Sequence, residues 1–202
     1  MEKLEPNTAL KFASIHGRLD IIKFLECGEV TRDEALLLAS EYGHLEVVKY
    51  LVEQGANVRV KDSRPLLCAV RNGHLEMVKY LVSNAKVDNW ALRLASFEGH
   101  LEIVKYLVSL GGDIRSYNDY ALRWASRGGY LELVKYLVSV GADVRAADNF
   151  AIIWASEFGH FEVVRFLLRK GADRKNIYNK EEYEAWEKKI KLEAQKKIYY
   201  WW

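Results

Sequence analysis

The sequence predicts an all-α solenoid of six helix-turn-helix repeats closed by a C-terminal capping helix. Three observations predict it. One ten-residue pattern occurs six times, as HGRLDIIKFL, YGHLEVVKYL, NGHLEMVKYL, EGHLEIVKYL, GGYLELVKYL and FGHFEVVRFL. Its glycines, Gly17, Gly43, Gly73, Gly99, Gly129 and Gly159, follow one another at 26, 30, 26, 30 and 30 residues, a period that belongs to repeat architectures. Half of the 202 residues are apolar, enough for an extended core and too many for a disordered chain. The array takes residues 1–174 and the final amphipathic helix with its aromatic tip takes 175–202.

Each unit contains two helix-length stretches. In the fifth copy these are Asn118 to Arg127 (NDYALRWASR) and Leu131 to Val140 (LELVKYLVSV), parted by Gly128 and Gly129. Glycine accepts the positive φ that ends a helix. In the second stretch Leu131, Val134, Leu137 and Val138 recur at helical spacing and define an apolar face, with Glu132 and Lys135 off it. The first stretch keeps Ala121, Ala125 and Ser126, small residues that let neighbouring helices approach closely. A helix pair of this size cannot bury its own apolar face and must stack on the next copy. Connectors such as GGDIRSYND and GADVRAADN are rich in turn formers, and Asp119 or Asn149 is placed to cap the following first helix. The expected order is helix, tight turn, helix, projecting loop.

GHLEVVKYLVEQGANV (Gly43 to Val58) and GYLELVKYLVSVGADV (Gly129 to Val144) resemble the second half of the ankyrin repeat, and the match runs over about residues 7 to 174. The 30-residue period with DNWALRLAS, NDYALRWAS and DNFAIIWAS further resembles the ankyrin arrays of giant DNA viruses that infect amoebae. Where that family reads Thr-Pro-Leu-His, this chain has Thr8-Ala9-Leu10-Lys11, Arg64-Pro65-Leu66-Leu67 or Tyr120-Ala121-Leu122-Arg123, so the family's histidine bridge is missing. The period is also shorter than the family's 33 residues, which implies stubby connecting fingers and recognition through the first helices.

The positions that vary most between copies are the pairs before each turn glycine: Ile15-His16, Glu41-Tyr42, Arg71-Asn72, Phe97-Glu98, Arg127-Gly128 and Glu157-Phe158. The resemblance implies that they face a concave groove. Tyr42, Phe97 and Phe158 beside Arg71, Arg93, Arg123 and Arg127 are residue types enriched at interface hot spots, and together with Ile15, His16, Glu41, Asn72, Glu98 and Glu157 they form the expected partner-binding groove. Drift on an idle solvent face would produce the same variability. Trp124 and Trp154 read as core, while Trp90, Tyr120 and Phe150 read as half-exposed packing at helix starts.

Other candidate chemistry is weaker. His44, His74, His100 and His160 hold one place in the repeat, which predicts a structural bond from each turn to a neighbouring repeat. Copies roughly 10 Å apart cannot share a zinc ion. His16 stands outside that set and has no evident catalytic partner. Lys23, Lys49, Lys79, Lys105, Lys135 and Arg165 follow Asp20, Glu46, Glu76, Glu102, Glu132 and Glu162 by three residues, which predicts a self-paired face and not a phosphate track. With 30 Lys+Arg against 28 Asp+Glu, the net charge of +2 argues against nucleic acid.

Cys27 and Cys68 are too few for a disulfide framework or a zinc site, and the N-terminus has no apolar leader, so a soluble, cytoplasmic protein is expected. With no phosphate loop, nucleophile–base pair or paired carboxylates, the expected function is non-enzymatic: a scaffold binding a protein, without cofactor, metal or small-molecule substrate. If the viral resemblance holds, that partner is a host protein met in the host-cell cytoplasm.

The segment from Asn176 onward breaks the repeat. Tyr183, Trp186, Ile190, Ala194 and Ile198 form one helical stripe, with Lys188, Lys189, Lys191, Lys196 and Lys197 mostly off it. An open solenoid end needs a cover with a polar outer face, which makes residues 180 to 198 a capping helix. The different-class alternative is a peripheral membrane or nucleic-acid binder acting through this basic helix and Tyr199, Tyr200, Trp201 and Trp202. The segment does not resemble an F-box, which argues against the ubiquitin-ligase adaptor role of some viral ankyrin proteins.

Overall fold

The computed structural model describes residues 6–25, 29–83 and 89–199. Cys27 and Tyr200 to Trp202 lie outside them, as do the side chains of Lys196, Lys197, Ile198 and Tyr199. The described chain is helical: α1 (Pro6–Ile15), α2 (Leu19–Phe24), α3 (Glu29–Glu41), α4 (Leu45–Glu53), α5 (Val60–Arg71), α6 (Leu75–Ser83), α7 (Asn89–Glu98), α8 (Leu101–Ser109), α9 (Ser116–Arg127), α10 (Leu131–Ser139), α11 (Ala146–Glu157), α12 (Phe161–Arg169) and α13 (Lys180–Tyr199), with a 3₁₀ turn at Arg174–Asn176. The predicted all-α repeat architecture is therefore present. Packing divides it into two compact units, residues 1–95 with 102–112 and residues 96–101 with 113–202.

In the first unit α1 packs on α3 and α3 on α5, while each is closed by its own second helix, α2, α4 or α6. In the second unit α9 packs on α11, and α10 and α12 lie behind them. First helices meet through alanines one turn apart, Ala35 and Ala39 or Ala121 and Ala125, all buried. Second helices bury a branched triplet, Val47, Val48 and Leu51 in one copy and Leu133, Val134 and Leu137 in another. The apolar face of α10 is thus turned from its expected centre, since Leu133 is in the core and Leu131 and Val138 are only half-buried. Leu133 and Val134 both lie within a turn of Leu137, whereas Leu131 and Val138 flank that stripe.

The two connectors of the second unit are left-handed turns: Tyr117, Asn118 and Asp119 have φ of 55, 57 and 54°, and Ala147, Asp148 and Asn149 have 49, 55 and 66°, at the start of α9 and α11. The turn is closed by Asp119 N–H donating to the Arg115 carbonyl at 3.2 Å, and by Asn149 N–H donating to that of Arg145 at 3.1 Å. Asp119 and Asn149 consequently do not cap their own helices. Asp143 N–H donates to Asp119 Oδ1 at 2.9 Å, and Asp173 N–H donates to Asn149 Oδ1 at 3.1 Å, each from the connector 24 residues on. Asn57 N–H and Asp33 Oδ1 repeat the arrangement in the first unit at 2.8 Å. A short side chain with an acceptor is needed because the left-handed turn aims it at the following connector.

All six turn glycines have φ between +67 and +82°. At Gly17, Gly43, Gly99 and Gly129 the space is filled from the next copy, while Gly159 is open. A Cβ on Gly17 would lie 2.6 Å from the His44 ring, one on Gly43 2.7 Å from His74, and one on Gly129 2.5 Å from His160. His44 Nε2 donates to the Ile15 carbonyl at 2.6 Å and His74 Nε2 to that of Glu41 at 3.0 Å, the structural bond expected of these histidines. In the fifth copy Tyr130 replaces histidine, and its larger ring covers Gly99 and also Gly128, where a Cβ would come within 2.3 Å of it.

The charged face is paired as expected for Lys49–Glu46, Lys79–Glu76, Lys105–Glu102 and Lys135–Glu132, at 2.6 to 2.8 Å, and loosely for Arg165–Glu162 at 3.9 Å. The first copy departs from the pattern. Asp20 bonds Arg18 at 2.9 Å, whose guanidinium holds its carboxyl below the ordinary range, and Lys23 stands over the Tyr50 ring at 5.6 Å. Arginine two residues away offers a bidentate fork that a lysine ammonium cannot match.

The C-terminal helix is seated by Tyr178 N–H donating to Ser156 Oγ at 2.8 Å and by Tyr183 and Trp186, whose rings lie 5.9 and 5.8 Å from Phe161. Tyr183 is 1% exposed, Ile190 is half-buried, and residues 191–195, including Ala194, are exposed. A cleft between α12 and α13, lined by Arg165, Leu168, Ile190, Lys191 and Ala194, continues along the helix pair beyond the aromatic contacts.

Candidate functional site

The expected recognition residues fall at the C-terminal ends of the first helices and in the turns after them. In the first unit Glu41, Tyr42, Arg71 and Asn72 are exposed and Ile15 is half-buried. His16 is held by its own helix: its ring stacks on Phe12 at 4.0 Å and Nδ1 meets the Phe12 carbonyl at 2.8 Å. Asn72 likewise turns back, donating to the Cys68 carbonyl at 2.9 Å. Arg93 is half-buried with its guanidinium over Trp90 at 4.7 Å.

The same unit has a cleft of about 270 Å³ on α1, α3 and α5, lined by Lys11, Glu34, Leu37, Leu38, Glu41, Arg64 and Cys68. Lys11 and Glu34 pair across it at 3.1 Å. Burial, with the Glu41 carboxylate adding to it, pushes the Cys68 thiol up, so the group is a poor nucleophile. The sequence did not mark this cleft, because its residues come from three copies and share no motif.

The second unit assembles a row of rings. Phe97 meets Trp124 edge-on at 4.7 Å, and Trp124 meets Trp154 at 5.2 Å. Tyr120 and Phe150, one turn earlier on α9 and α11, lie 5.5 and 5.4 Å from the tryptophan of their own helix. Trp124 and Trp154 are half-buried and not core, since equivalent positions on adjacent first helices place the two indoles against each other at the surface. Phe97 and Phe158 are 40 and 46% exposed.

Two arginines are threaded through this row. Arg123 lies 5.4 Å from Tyr120 and 5.9 Å from Trp154, and it donates to the Tyr117 carbonyl at 2.7 Å. Arg127 lies between Trp124 at 5.0 Å and Phe158 at 4.5 Å. Among the described residues Arg127 makes no ion pair, and the buried Trp124 Nε1 and Arg123 Nε have no hydrogen-bond partner. Glu98 is half-buried and Glu157 exposed beside the row. The sequence showed the residue types; the pairing of one guanidinium with two rings from different helices was not legible in it. Position 128, counted among the variable pairs, is occupied by the fit of Tyr130.

Among the described residues no three His, Cys, Asp or Glu side chains are placed to share a metal ion, and no helix is long and apolar enough to cross a membrane.

The family model described as "Ankyrin repeats (3 copies)" matches residues 10–91, 36–118 and 90–179, in overlapping windows that take in most of the chain. Among solved structures, the crystal structure of the human ASB11 ankyrin repeat domain is similar, with a TM-score of 0.71, 24% identity, and coverage of 82% of this chain and 85% of that one. At that identity the likeness concerns the fold. No curated protein matches the sequence.

Proposed function

The chain belongs to the ankyrin repeat family, and from that premise we propose that it is a non-enzymatic scaffold that binds another protein through the residues preceding its turn glycines. Ankyrin repeats generally mediate protein–protein interaction. The observation that carries the reading is the row of exposed Phe97 and Phe158 with half-buried Trp124 and Arg127, aromatic and arginine side chains already ordered by one another. Preordered anchors lose little conformational freedom on binding, which is where a rigid repeat gains affinity. The likeness of DNWALRLAS and its siblings to arrays of giant DNA viruses of amoebae makes a host protein in the host-cell cytoplasm the proposed partner.

Affinity capture from nuclease-treated amoebal lysate tests this, comparing the intact chain with Tyr42→Ala, Phe97→Ala and Phe158→Ala combined, after thermal melting has verified folding of the variant. A protein held by the first and lost by the second supports the reading. Equal capture by both refutes it.

A second reading rests on the basic exposed side of α13, where Lys188, Lys189 and residues 191–195, including Lys191, are exposed. On this reading the helix and its aromatic tip bind an anionic membrane. Sedimentation with phosphatidylserine vesicles, lost on removal of residues 199–202, is its signature.

A further inference from the structure

Arg127 differs from the ion-paired cations of its unit in how it is held. Lys135 is neutralised by Glu132 at 2.6 Å, Arg115 faces Asp119 and Asp143 at 3.7 Å, and Arg174 faces Glu184 and Glu187 at 3.8 and 3.7 Å. Arg127 has rings where those residues have carboxylates. Its guanidinium lies near two rings, 5.0 and 4.5 Å from their centroids, and the edge that carries its N–H donors has no carboxylate partner among the described residues and is left for a planar acceptor. A carboxylate fits that edge in a bidentate arrangement.

We infer that Arg127 anchors an Asp or Glu of an extended peptide segment of the partner, with the segment's adjacent apolar side chain laid over Phe97 and Trp124. The inference rests on the reading of the array as a protein-interaction scaffold and names the chemistry of what it binds. Charge complementarity selects a peptide over single-stranded nucleic acid, which also uses arginines interleaved with aromatic rings. A nucleic acid strand has a charge at every nucleotide, and the exposed Glu157 beside the row repels such a strand. A peptide with one acid at the arginine and neutral residues elsewhere avoids both.

The test selects a phage-displayed library of random dodecapeptides on the full chain and measures the enriched peptides by fluorescence anisotropy, with labelled oligo-dT of fifteen nucleotides alongside. The expected result is a shared Asp or Glu next to an aromatic or branched residue. Affinity should fall at least about tenfold on Arg127→Gln and equally on changing the peptide's acid to its amide, with no further loss when both are changed. The amide peptide keeps the test valid should the protein variant lose stability. Enriched peptides without an acid, or insensitive to Arg127→Gln, overturn the inference and leave the scaffold reading standing. No enrichment at all overturns both. Oligo-dT binding that depends on Arg127 overturns the inference in favour of nucleic acid.

Discussion

The Oδ1 atom of Asp119 accepts the backbone N–H of Asp143 at 2.9 Å, so a side chain in one connector fixes the backbone of the next. Asp119 is 2% exposed and its other oxygen lies 3.7 Å from Arg115. Asp119→Ala leaves a donor without its acceptor and puts a Cβ-only residue in a left-handed turn, at a cost of about 1–3 kcal/mol. Asp119→Asn should cost much less, because Asn149 does the same work for Asp173 at 3.1 Å. Urea unfolding of the two variants measures the difference, and equal losses would show that the bond is not what matters.

Gly129 combines φ of +73° with a neighbour, His160, 2.5 Å from where a Cβ would sit. Gly129→Ala is expected to destabilise by about 1–3 kcal/mol through backbone strain, with more from displacement of the ring. If crowding contributes, Gly129→Ala combined with His160→Ala will lose less than the two single changes together. Thermal melting of the three variants decides it.

Tyr183 gives the fold a dependence on alkaline pH. Burial pushes its phenol above the ordinary value near 10, and Glu187 adds to the shift. A raised folded-state value means that stability is whole below pH 10 and is lost as pH rises further, because the unfolded chain releases the proton first. Melting temperature should therefore fall between pH 9 and 11, and Tyr183→Phe should fall less steeply over that window. Parallel curves for the two proteins would remove Tyr183 from the account.

The Cys68 thiol, raised by burial, should react with iodoacetamide several-fold more slowly at pH 8 in the folded chain than in urea. Mass spectrometry of the Cys68 peptide reads this out separately from Cys27. Equal rates would mean that α5 leaves the thiol open.

Much of the fold was legible because a repeat states its rule six times. The turn glycines, the histidine bond across copies and the pairing of lysine with a glutamate three residues earlier all follow from one unit. What escaped was contact between elements whose residues differ. Asp119 reads as a helix cap until the left-handed backbone of Tyr117 to Asp119 turns it toward the following connector. Within the site, the residue types were visible, but the sandwich of Arg127 required the spacing between α9 and α11.

The replacement of histidine by Tyr130 ties one copy to its station. Its ring needs glycine at 99, as every copy's covering residue needs one before it, and needs glycine at 128 as well. A sibling copy, which has a side chain at that place, could not receive the tyrosine without a second change. Mutational freedom at residue 128 is closed for as long as residue 130 stays aromatic. In this copy the pair before the turn glycine is therefore reduced to Arg127, and any retuning of specificity at that pair has to pass through that residue.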